Sequence, residues 1–172
     1  MSDNALTHAD AGAPTLERPR AFDTILYGGL VVGVLDGLFA LIYYGLILGA
    51  KPMRIFQSVA SGLLGRASFE GGTPTFLLGI LLHFVVAACI TAIYYAASLK
   101  LPVLIRHAVV CGLIYGLISY LGMNYVVIPL SAVGPRQFSL PVFLTAIIGH
   151  ALFVGLPIGL ITRWSAKAKR SG

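Results

Sequence analysis

The sequence predicts an all-α polytopic membrane protein with four transmembrane helices plus one interfacial amphipathic helix, built as a duplicated two-helix hairpin. Three observations carry this. The 172 residues are 58% hydrophobic and only 10% charged, whereas a soluble domain covers its surface with about 25% charged residues. Four apolar stretches are long enough to cross a hydrocarbon core, which takes about 20 residues each. The beginnings of the second and fourth stretches also match each other in register. With a mean hydropathy of +0.90, this composition excludes a soluble enzyme, a disordered protein and a disulfide scaffold.

Residues 1–23 are polar and rich in Ala, Thr and Asp, with no short apolar core leading to a cleavage site. They read as a disordered cytoplasmic tail, which leaves the first span as an uncleaved anchor. A transmembrane domain follows over 24–163, with spans at about 25–48, 76–99, 103–128 and 142–162. Pro74, Pro102, Pro129 and Pro141 stand at or near span ends, where a missing N–H does little harm. Residues 164–172 form a basic tail.

The link between spans one and two holds a helix of a different kind, over about 52–65. Pro52 suits a first helical turn, and Ile55, Phe56, Val59, Ala60, Leu63 and Leu64 recur at helical spacing. Arg54, Gln57, Ser58 and Ser61 take the other side, so the segment is expected to lie in the outer interface.

Basic residues set the expected orientation. Arg18, Arg20, Lys100, Arg106, Arg163, Lys167, Lys169 and Arg170 fall on one side; Lys51, Arg54, Arg66 and Arg136 fall on the other. The richer side faces the cytoplasm, which puts both termini inside. The net charge of +6 thus belongs to span ends. It forms no basic stripe with interleaved aromatics, so no nucleic acid is expected as partner. His107 beside Arg106 reads as a solvated boundary pair.

The duplication rests on two registers. From Pro74 to His83 and from Pro141 to His150, the Pro, Phe, Leu, Ile and His positions coincide at an offset of 67. In spans one and three, Gly29, Gly33 and Asp36 align with Gly112, Gly116 and Ser119 at an offset of 83. The extra residues correspond to the amphipathic segment, inserted in the first copy. Copies that each hold two spans are parallel, which places His83 and His150 at equal depth.

Asp36 is the most informative residue, because a carboxylate near the middle of a span costs about 2.5–3.5 kcal/mol on insertion scales. By helical spacing Gly29, Gly33, Ala40 and Tyr43 share its face, and the small residues allow close helix approach. Asp36, His83 and His150, with Ser119 and Asn124, form the candidate proton- or ion-binding set; imidazole titrates near neutral pH. The plainer reading is that these groups hydrogen-bond one another between helices. Paired histidines also admit haem b as a redox cofactor. Tyr43, Tyr44 and Tyr120 read as anchors, and Pro157 as a bend.

Cys89 and Cys111 read as small packing residues, since neither has CxxC spacing. No nucleophile–base motif, HExxH or phosphate-cradling loop is present, so neither an enzyme nor a metal site is expected.

The run from Pro52 to Gly65 (PMRIFQSVASGLLG), followed by Gly71, Gly72 and a His-bearing span, resembles small uncharacterised bacterial membrane proteins. The second half, with Pro129, Gly134, Pro135, Ile148, Gly149 and His150, is similar to the YagU-like inner-membrane family. The resemblance implies a compact multi-span protein of the bacterial inner membrane and brings no catalytic residues. The expected function is proton or small-ion movement or sensing, with a haem-binding redox subunit or a structural accessory protein as alternatives. Four spans leave little room for a private pathway, so a homo-oligomer in the lipid bilayer is expected.

Overall fold

The computed structural model describes residues 18–133 and 139–167, and every regular element among them is helical. Four helices are long and apolar enough to cross a membrane: α1 (Ala21–Ile47), α3 (Gly72–Ser98), α5 (Ala108–Leu130) and α6 (Leu140–Ala166). Between α1 and α3 lies α2 (Pro52–Leu64) with a 3₁₀ turn over Gly65–Phe69. A single turn, α4 (Val103–Arg106), precedes α5. Outward-facing Leu30, Val34, Leu38, Leu81, Ile114, Ile118 and Ile148 are exposed, which is the expected surface against lipid. The chain is a multi-pass membrane protein.

Several expected boundaries shift. The tail expected over 1–23 lies outside the described residues as far as residue 17, and α1 already begins at Ala21. Arg20 Nε pairs with Asp23 Oδ2 at 2.8 Å in that first turn, where an acidic side chain also favours the helix N-terminus. The third span does not run unbroken from residue 103. His107, at φ −107° and ψ 46°, separates α4 from α5. Residues 168–172 of the basic tail, and Arg136 in the link before α6, lie outside the described residues.

The bundle is two helix pairs joined through α1 and α6. Glycines set the approach within each pair. In the first, Gly29 faces the Ala88 backbone and Gly33 faces the Phe84 ring, so α1 lies close against α3. In the second, Gly112 and Gly116 of α5 interlock with Gly155 and Gly159 of α6, backbone against backbone. This is the small-residue packing that lipid-embedded helices use in place of a hydrophobic drive.

At the end holding the α1 N-terminus, Thr24 Oγ1 and Ser165 Oγ lie 2.7 Å apart in a buried contact, and Tyr27 meets Trp164 edge to face. These contacts join α1 to α6. There α3 and α5 meet through the Tyr94 and Tyr115 rings, 4.9 Å between centroids. Tyr94 donates to Leu104 O and Tyr115 to Ile90 O. Val32, Ala87, Tyr94, Val154 and Ile158 make the buried core at this level.

The opposite end is covered by α2. Gly49, at φ +71°, turns the chain out of α1 in a conformation that L side chains rarely adopt. The sequence assigns Gln57 and Ser61 to the solvated side of α2, but both are buried. Gln57 Nε2 donates to Gly72 O and Thr75 Oγ1, so its polar end is satisfied against α3. Gly79 provides the room for the Phe56 carbonyl, while Leu63 and Leu64 face outward. The far end of α2 ties to the link after α5, with Ala132 N donating to Gly62 O.

Candidate functional site

Below α2, the helices part around a cavity of about 820 Å³. Its walls come from every long helix: Val32, Asp36, Ala40 and Tyr44 of α1; His83, Val86, Ala87 and Ile90 of α3; Tyr120, Met123, Asn124 and Tyr125 of α5; and Val142, Phe143, Ala146, His150 and Val154 of α6. Arg54, Ile55, Phe56, Ser58 and Val59 of α2 close over it. Core residues Val32, Ala87 and Val154 floor it, and the exposed Arg54, Tyr125, Pro129 and Ser139 stand at its rim. It is therefore one-sided, closed toward the Tyr94–Tyr115 end.

Four of the five sequence-predicted binding residues converge here: Asp36, His83, Asn124 and His150. Ser119 does not line the cavity; its hydroxyl donates to Gly116 O one turn back on its own helix. Gly29, Gly33, Gly112 and Gly116 stand at helix contacts.

The expected hydrogen bonds among these polar side chains are replaced by bonds to backbone. His83 Nε2 donates across to Gly33 O at 2.8 Å, with its ring between Phe56 and Phe84. His150 Nδ1 donates to Ala146 O at 3.0 Å on its own helix, and its ring meets Tyr120 at 5.1 Å. Asn124 Nδ2 donates to Tyr120 O. A haem iron or metal ion reaching His83 Nε2 would have to displace the bond to Gly33. Among the described residues, no three His, Cys, Asp or Glu side chains stand close enough together to hold a metal ion.

Asp36 differs from the rest. Among the described residues its carboxyl has no hydrogen-bond or ion-pair partner, and its half-buried oxygens keep access to the cavity. The face it occupies also differs from the sequence reading. Gly29 and Gly33 turn toward α3, whereas Asp36 continues a Val32–Asp36–Ala40–Tyr44 row at four-residue steps. Tyr43 is buried elsewhere, stacked on Phe39. Tyr44, not Tyr43, belongs to the site.

Backbone irregularity marks the same level. α1, α5 and α6 each contain a π-helical segment, over Leu41–Ile47, Met123–Val127 and His150–Gly155. Each contributes to the cavity wall, through Tyr44, Asn124 and His150 respectively. Such segments occur mostly as local bulges and often at functional sites.

The cysteines are free, Cys89 exposed and Cys111 half-buried. Compared with known proteins, the chain matches no family model, and no curated protein or solved structure shows significant similarity to it.

Proposed function

We propose that this membrane protein binds a proton or small cation in the α2-covered cavity, with Asp36 as the charged ligand and His83 and His150 as the neighbouring polar groups. One observation carries the reading: an intramembrane carboxyl with no partner among the described residues opens onto a cavity that two histidines also line. A carboxylate that only joined helices would be hydrogen-bonded to one of them. The closed floor favours a carrier or sensor that binds from one side over a continuous channel. The role is binding or movement, without catalysis.

The eight-to-four distribution of basic residues supports cytoplasmic termini, so that α2 and the cavity beneath it lie toward the outer face. The YagU-like resemblance supports a place in the bacterial inner membrane. Descent from a duplicated hairpin is supported by register, because Gly33 packs at His83 and Phe84 while Gly116 packs at His150 and Ala151. A homo-oligomer completes the proposal, since four spans enclose the cavity but no second pathway.

The test is proton flux into vesicles reconstituted with the full chain, read with an internal pH dye under an imposed gradient. Asp36→Asn should abolish the protein-dependent flux. Flux equal to wild type would remove Asp36 from the mechanism.

A further inference from the structure

We propose that the occupant of the cavity is a small organic cation, an ammonium or similar onium group carrying apolar substituents, with Asp36 as its counter-ion. The inference rests on the reading that this cavity is the functional site, and names the class of ligand it takes. Size comes first. A volume of about 820 Å³ is far larger than a proton or bare ion requires, and lies within the roughly 300–1,000 Å³ range of pockets that hold drug-sized molecules. The donors are also spread rather than gathered: Asp36, His83 and His150 share the cavity without forming a metal-holding cluster. A ligand that touches them together must itself span the space.

Charge and lining specify the chemistry. Asp36 offers a carboxyl that, among the described residues, pairs with no basic side chain. Around it stand the rings of Tyr44, Phe56, Tyr120, Tyr125 and Phe143. Aromatic faces attract ammonium groups, and more strongly where water is displaced. The rest of the wall is largely aliphatic, which suits apolar substituents. Among the described lining residues, Arg54 sits on the exposed rim, with its guanidinium carbon 5.3 Å from the centroid of the Phe69 ring, which is not part of the lining.

The full chain in nanodiscs should bind radiolabelled benzyltrimethylammonium or tetraphenylphosphonium saturably above empty nanodiscs. Neopentylbenzene, the uncharged carbon analogue of the first probe, should fail to displace it. Asp36→Asn should weaken binding at least about tenfold, the loss of one charge-assisted contact worth about 1.4 kcal/mol, while Asp36→Glu retains binding. Asp36→Asn removes a charge from the membrane interior without changing side-chain size, so it should elute as wild type on gel filtration. Saturable binding of neither probe, or equal binding by Asp36→Asn, overturns the proposal. The proton-flux measurement separates the two readings. Asp36-dependent flux without probe binding overturns the organic cation alone. Asp36-dependent probe binding with flux unchanged in Asp36→Asn upholds the organic cation and overturns the proton.

Discussion

Replacing Gly155 by Ala should force α5 and α6 apart. A Cβ added at Gly155 would lie 2.6 Å from Gly116 Cα and nearer still to Gly112 O, whereas ordinary contact begins near 3.4 Å. Neither obstacle can swing aside, because both are backbone. The helices must separate by about an ångström, and a gap of that size forfeits about half of each van der Waals contact along the seam. Overpacking of this kind costs about 1–3 kcal/mol. Alanine recovers about 1 kcal/mol through its helix propensity, leaving a net loss of up to about 2 kcal/mol and a deficit of about 1–3 kcal/mol against a control that gains the same propensity. The assay is SDS-driven unfolding in bicelles, read by Trp164, the one tryptophan of the chain, which rests on Tyr27 across the α1–α6 contact. Gly122→Ala on α5 is the matched control, since its Cβ would meet nothing within 4 Å. If Gly155→Ala proves as stable as Gly122→Ala, the glycine seam does not hold these helices together.

Two further outcomes follow from the same geometry. Asp36→Leu should make insertion of the Ala21–Ile47 helix more favourable by about 3 kcal/mol, seen as a higher inserted fraction during translation into microsomes; no gain would place Asp36 outside the apolar core. Gln57→Leu removes the bonds to Gly72 O and Thr75 Oγ1, at a cost of about 1–2 kcal/mol. Hydrogen exchange should then quicken over Pro52–Leu64 with α6 unaffected, and unchanged exchange would mean that Gln57 does not hold the cover in place.

Hydropathy and charge made the spans legible, because a lipid-embedded segment must satisfy its backbone internally and present apolar side chains outward. One side of the second glycine seam could be read for a similar reason, since Gly112 and Gly116 stand one turn apart; their partners Gly155 and Gly159 emerge only from the packing. Asp36 was visible because its residue type contradicts its surroundings. The inward side of α2 was not visible. Hydrophobic spacing assigns Gln57 outward, but an amide that finds a carbonyl and a hydroxyl on α3 is satisfied in place. Ser119 shows the opposite error. Its alignment with Asp36 suggested a shared role, yet its hydroxyl is spent on the local Gly116 carbonyl, a bond that any helical serine can make.

The cavity itself had no sequence signature in its side chains, because backbone geometry creates much of it. Two of the three π segments run into a proline. Pro157 returns no N–H to Phe153 O, and the turn ahead of it is π over His150–Gly155; Pro129 stands in the same relation to Tyr125 and to the segment Met123–Val127. Reading Pro129 as a span end and Pro157 as a bend gave each the right hydrogen-bond defect and missed its consequence. Each π turn widens its helix locally, and Asn124 and His150 stand at the start of these segments, in the wall that Asp36 also lines. A regular helix through either proline would leave a carbonyl unpaired in lipid, and the irregular turns fall at the level of the cavity that Asp36 lines. Close packing on either side of that level, through the glycine seams and the Tyr94–Tyr115 contact, keeps the space from collapsing.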